Sequence, residues 1–402
     1  MSIPYRSSYT GVNDKSVRRS TSKLERPLIP QRQAVIVVVA LAMGSFAPAH
    51  GAERAPTVDA DGTLHAPPLT IPFSSLASPE AKSAFTDQAT SNATESRQGT
   101  NADDQSKIDI AAVRKSVDES IEPYVAAMKK QYPVNITPKT IGGVYTEMFV
   151  PRDGIAPKYK KRVLINLHGG AFLWGARTEG QAESIPIAAL GTIKVISVDY
   201  RMGPEHQFPA ASQDVATVYK ALLKDYRPQN IGIYGCSAGG MLTAEAVAWF
   251  DKEGLPLPGA IGVLCASTGP ISVGDSHFLT PLLTGASMNG AGEGGFDITR
   301  LYFGDADPKD PLVYPATAPA LLARFPPTLF VTGTRALEMS GVVHSHIQLI
   351  SAGVRAELYI WDGMWHGFFV DPKLPESKEV YHVIVDFFDR QLGNRPSKAR
   401  RP

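Results

Sequence analysis

From residue 143 onward, short apolar runs alternate with longer stretches of helical period. Val144 to Val150 alternates in polarity, as a half-exposed strand does, and Pro151-Arg152-Asp153-Gly154 turns the chain after it. Arg162 to Leu167, Ile193 to Val198, Ile231 to Tyr234, Ala260 to Cys265, Pro327 to Thr332 and Ala356 to Trp361 predict further strands. Between and after them, 180–190, 210–226, the segment up to Phe250, 341–352 and 377–392 predict helices. This alternation implies an α/β fold: a mainly parallel central sheet flanked by helices on both faces. Crossovers in such a sheet are right-handed, and sites form at the carboxyl ends of the strands.

The earlier part of the chain is patterned differently. Ile110, Val113, Val117, Ile121 and Val125 recur at spacings of three and four, which predicts a helix over 108–131. Residues 51–106 are rich in Ala, Ser, Thr, Pro and Asp and read mostly as a mobile tether, interrupted by a helix start at Ser78-Pro79. Arg18, Arg19, Lys23, Arg26 and Arg32 precede an apolar run, 34–46, and then Ala47-Pro48-Ala49. Basic, apolar, then small residues is the layout of an export signal, and the run is short for a membrane span. The expected division is a signal peptide or N-terminal anchor (1–49), a linker and the start of the N-terminal helical part (50–106), a helical segment (107–139) and the α/β domain (140–395). The expected location is periplasmic or secreted, or membrane-anchored if the signal stays uncleaved.

Composition narrows the function classes. The 402 residues are 43% apolar and 20% charged with a net charge of +1, which suits a globular protein with a full core and argues against nucleic acid as a partner. The two cysteines, Cys236 and Cys265, make neither a disulfide framework nor a zinc spacing.

Three stretches at predicted strand ends carry chemistry. Gly235-Cys236-Ser237-Ala238-Gly239 joins a strand directly to a helix, the setting in which a serine hydroxyl is lifted clear of a sheet. Glycine at 235 and 239 removes side chains that would clash, and the Ala238 amide at the helix start points where an oxyanion would form. His168-Gly169-Gly170 follows the strand at 162–167, and the Gly169 and Gly170 amides are expected to complete that oxyanion hole. His168 itself reads as structural. Among nine histidines, His366 has the best placement for a general base, on a loop between the last strand and the final helix. His344 and His346 fall in a predicted helix.

These motifs, with Asp199-Tyr200-Arg201-Met202-Gly203-Pro204-Glu205-His206-Gln207-Phe208-Pro209, resemble the hormone-sensitive lipase family of α/β-hydrolases from about Val144 to the C-terminal helix. The resemblance implies an α/β-hydrolase fold, N-terminal helices forming a cap over the site, a structural role for the Tyr200–His206 stretch, and a serine carboxylesterase acting on short- to medium-chain esters through an acyl-enzyme. A small-molecule ester is the only partner it implies, with no cofactor and no metal. Two positions depart from the family pattern. Cys236 stands where an aspartate usually precedes the serine. Ala336 stands where the acid is expected, and Glu338 is the only carboxylate in that loop. The expected triad is therefore Ser237, His366 and Glu338, against the readings that Glu338 caps the next helix or that no acid is present. Phe172, Trp174 and Trp365, with Phe278 and Met364, are candidates to line an apolar substrate pocket, although such aromatics serve equally as core. A non-catalytic ligand-binding protein on this fold is the alternative from a different class, and a lipase, amidase or deacetylase the alternative chemistry.

Overall fold

The structure is a computed structural model that describes residues 57–66, 70–98, 108–285 and 298–393. The expected signal segment, 1–49, lies outside the described residues. The chain divides into two compact units, 1–69 and 70–402. In the first, β1 (Thr57–Val58) pairs antiparallel with β2 (Leu64–His65) as a small exposed hairpin, closed by a hydrogen bond that the Asp59 amide donates to the Thr63 carbonyl.

The second unit opens with α1 (Pro79–Gln98), inside the stretch read as a tether. Ser78 caps it by accepting the Ala81 N–H at 3.0 Å. The next helix, α2 (Ile110–Gln131), is capped by the Asp109 carboxylate. The central sheet follows: β3 (Val134–Ile141), β4 (Val144–Pro151), β5 (Val163–Leu167), β6 (Lys194–Val198), β7 (Ile231–Cys236), β8 (Ala260–Leu264), β9 (Thr328–Gly333) and β10 (Ala356–Trp361). Its order is β10-β9-β8-β7-β5-β6-β4-β3, with β3 and β4 antiparallel and the rest parallel. The expected domain boundary at 140 cuts through β3, so the sheet begins before it.

β5, β7, β8 and β9 are buried along their whole length, which is why they read as continuous apolar runs. Alternate residues feed two cores. Ile165 and Ile233 pack under α4 (Ala210–Leu222), α5 (Ala238–Lys252) and α9 (Met339–Ser351). Leu164 and Tyr234 pack under α2, α3 (Thr178–Gly191) and α10 (Pro375–Gln391). Three shorter helices, α6 (Gly274–Thr284), α7 (Arg300–Phe303) and α8 (Pro319–Leu322), lie between β8 and β9. Strand order reverses at β5, so the loops after β5 and β7 diverge and leave a crevice at the carboxyl edge.

Candidate active site

Ser237 sits in that crevice between β7 and α5, at φ 57° and ψ −124°, a conformation few side-chain-bearing residues adopt. Its amide is held by the Leu264 carbonyl at 2.9 Å. The turn is tight because β5 runs beneath it. A Cβ at 239 would lie 1.8 Å from the Leu167 carbonyl oxygen and one at 235 would lie 2.1 Å from it, so both positions require glycine.

The loop after β5 is pinned from several sides. His168 is fully buried, stacked on Tyr200 at 4.2 Å, with Nδ1 2.8 Å from the Gly169 carbonyl. Burial lowers its pKa to about 4, so it stays neutral and structural. The Tyr200 hydroxyl donates to the His168 carbonyl at 2.7 Å. Arg114 of α2 donates to the Leu173 carbonyl, the Gly203 carbonyl and both oxygens of Glu205. The Tyr200–His206 stretch is thus a brace for this loop.

Glu183, one turn into α3, went unread in the sequence. Its Oε1 accepts the Gly169 N–H at 3.0 Å, and its Oε2 accepts the Cys236 N–H at 3.2 Å and the Asn166 amide at 2.7 Å. One buried carboxyl therefore ties the loop after β5 to the residue before Ser237. Burial, then the neighbouring Glu179, push its pKa up to about 8 against the pull of those three donors. This corrects the expectation for Gly169. Its N–H is committed to Glu183 and is unavailable to an oxyanion. Among the described residues no protein acceptor takes the amides of Gly170, Ala171 or Ala238. Ala171 holds the left-handed conformation at φ 52°. The signal for Glu183 was available: Glu179 and Glu183 are acids four apart on a helix that is otherwise largely apolar.

On the other side of the crevice, Glu338 and His366 meet. Glu338 is fully buried; its Oε2 lies 2.8 Å from His366 Nδ1, and its Oε1 accepts the Thr332 hydroxyl at 3.0 Å. It begins α9 but makes no side-chain cap there. Ala336 is a buried apolar residue. Desolvation alone would lower the His366 pKa, but the charge and hydrogen bond of Glu338 outweigh it, helped by Cys265 and Glu179, and carry it to about 9. No hydrogen bond joins the Ser237 hydroxyl to His366 here; such contacts commonly tighten when substrate binds.

Cys236 and Cys265 are both buried and free. Cys236 packs in the core beneath α3 and α10. Cys265 follows β8, between the elbow and Glu338. Its sulfur, a Glu338 oxygen and a His366 nitrogen lie within 4.8 Å of one another, among the described residues the one group that could share a metal ion. The Glu338–His366 hydrogen bond already uses two of the three donors. An ion there would have to displace it, so the set fits an acid–imidazole pair better than a resident metal.

The aromatic candidates separate. Phe172 is fully buried, stacked on Tyr302 at 4.5 Å, and Met364 is fully buried as well; both are core, not pocket lining. Trp174 and Trp365 are partly exposed, and Phe278 is exposed on α6. Trp365 touches Phe85 of α1 at 5.8 Å, and Phe85 stacks on Phe73 at 4.8 Å. Arg335 lies over both phenyl rings and donates to the carbonyls of Pro72 and Leu283. The N-terminal segment, α6 and the acid-bearing loop are thereby fastened beside His366.

Comparison with known proteins agrees with this architecture. The alpha/beta hydrolase fold family matches residues 164–370. An esterase of Acinetobacter venetianus is 27% identical over 237 residues, 56% of this chain and 74% of that protein. The crystal structure of esterase E25 is 32% identical, with a TM-score of 0.68, over 81% of this chain and 98% of that one. An esterase from the bacterial hormone-sensitive lipase family, also of known structure, is 26% identical with a TM-score of 0.65, over 79% and 99% of the two chains.

Proposed function

Because the chain belongs to the α/β-hydrolase fold family, in its hormone-sensitive-lipase-like branch, and is a carboxylic ester hydrolase, we propose that it cleaves short- to medium-chain esters through an acyl-enzyme on Ser237. The observation that carries the reading is the 2.8 Å contact of buried Glu338 with His366 Nδ1, on loops after adjacent strands at the edge that also bears Ser237. That contact leaves Nε2 for the serine. Ser237 Oγ attacks the ester carbonyl carbon as His366 takes its proton, and Glu338 steadies the imidazolium. Amides of Gly170, Ala171 and Ala238 receive the oxyanion. The intermediate collapses, His366 protonates the departing alcohol, and water then releases the acid by the same steps. The strained Ser237 backbone and the free amides around it support this assignment.

Initial rates on p-nitrophenyl esters of increasing acyl length test it. The expected result is turnover highest on short and medium chains and abolished in Ser237→Ala. Full activity in Ser237→Ala would overturn the assignment. Export through the N-terminal segment is part of the same proposal, on the strength of its basic, apolar and small-residue order.

A further inference from the structure

Glu179 stands in the first turn of α3, one turn before Glu183 and on the same face. Unlike Glu183, it receives no hydrogen bond from any described residue. Its carboxylate is half-buried against the loop after β5. A Cβ on Gly169 would lie 2.5 Å from its Oε2 and 3.5 Å from the Ser237 Cβ, so by the sum of these distances the carboxylate is within about 6 Å of that atom. A Cβ on Gly175 would lie 2.9 Å from its Cδ. Glycines at 169 and 175 therefore make room for a carboxylate at the wall of the reaction centre.

Two described charged groups act on it, Asp118 and His366. Asp118 of α2, bonded to the Thr178 hydroxyl, adds negative potential; Glu183, its pKa raised to about 8, is mostly uncharged at neutral pH, and Tyr200 is neutral because burial pushes its pKa up. Among the described residues, the one cationic group that reaches Glu179 is His366. Burial, opposed by His366, carries the Glu179 pKa to about 7, so it is ionised in mildly alkaline solution. Outside, a cleft of about 410 Å³ at the start of α3 continues the same sign with Asp118, Glu119 and Glu122; its one cation, Arg177, is 3.5 Å from Asp199. A charge in a partly dry crevice, with no cation hydrogen-bonded to it, attracts an opposite charge on a ligand far more than it would in water.

We infer that Glu179 is a substrate-binding residue that selects esters carrying a cationic nitrogen close to the ester group and rejects anionic ones. The inference rests on the esterase reading above and assigns that site a substrate class. A quaternary ammonium ester tests it against its neutral isostere: acetylcholine and 3,3-dimethylbutyl acetate differ in charge and hardly in shape. In mildly alkaline buffer the wild type should give the higher kcat/KM with acetylcholine. The ratio of the two should fall by about tenfold or more in Glu179→Gln, as expected for one charge acting over this distance, and should survive in Glu179→Asp, which keeps the charge. Equal loss on both esters in Glu179→Gln would mean that Glu179 acts through His366, and would overturn the inference. So would a wild type that hydrolyses p-nitrophenyl acetate without preferring the cation, and in that case the esterase reading stands. A wild type inert on p-nitrophenyl acetate and on both test esters would overturn the esterase reading, and this inference with it.

Discussion

Glu338 reaches His366 from two positions beyond the place where an acid is expected. Glu338 directly precedes α9, and its side chain spans the gap to His366. Removing its charge should act on His366 in two ways. Glu338→Gln should lower kcat by up to about four orders of magnitude, the loss known for the equivalent acid in a serine protease. It should also move the pH profile. Glu338 raises the His366 pKa, so the proton is held at neutral pH and the base form gains ground only as pH rises toward about 9. Wild-type kcat/KM should therefore climb through the alkaline range, and in Glu338→Gln this limb should shift to lower pH. A pH–rate series on both proteins checks the direction. Ser237 and His366 were legible because their neighbours in sequence are diagnostic. Gly169 was misread because a chain of letters does not say which amide already has an acceptor. Glu183 took that amide from fourteen residues away. In Glu183→Gln one oxygen becomes an NH₂ that cannot accept, so a buried N–H loses its partner at about 1–3 kcal/mol. The expected readouts are a lower midpoint in urea and a lower kcat with little change in KM, since the oxyanion loop loosens while the acyl pocket keeps its walls.

At the level of elements, the strands from β4 onward and helices α3, α4, α5, α9 and α10 fall within a few residues of their expected bounds, because central strands are apolar throughout and their helices carry a clear period, whereas α6, α7 and α8 between β8 and β9 went unread. β3 went unseen for a physical reason. It is an edge strand, mostly exposed, with Pro138 and Lys139 inside it, and its pattern carries little apolar signal. The start of helix α1 at Ser78-Pro79 was legible, but its length was hidden by a composition of Ala, Ser and Thr that suits a tether as well as a helix. Its place depends on contacts made far along the chain. Ser78 bonds to Glu376 through its N–H and its hydroxyl, Phe85 meets Trp365, and Arg335 clasps Phe73 and Phe85. Arg335→Leu would remove a charged donor from the partly buried hydrogen bonds to the Pro72 and Leu283 carbonyls and should cost about 1–2 kcal/mol. Thermal unfolding would register this as a lower midpoint. Steady-state rates should register it as a raised KM, because the elements beside His366 lose their common fastening.

For the molecule as a whole, the decisive feature is the reversal of strand order at β5, which opens the crevice and brings loops from β5, β7, β9 and β10 to one edge. The N-terminal segment sets a prediction at this scale: expressed with its native start and exported, the protein should begin close after Ala49, as intact mass would register, whereas an anchored form would keep residues 1–49 and sediment with membranes. Among the described residues no helix is long and apolar enough to cross a membrane. The sequence by itself determined the α/β alternation, the elbow at Ser237, the histidine loop and the family resemblance, because each depends on residues adjacent in the chain and on periodicities that neighbours impose. Only the tertiary structure decided that Glu338 meets His366, that Gly169 is spent on Glu183, that Phe172 is core, and that the Glu179 carboxylate lies beside the reaction centre with no hydrogen-bond donor among the described residues. Those are matters of which side chains from distant segments compete for the same few ångströms, and they exist only once the sheet has been ordered and its helices packed.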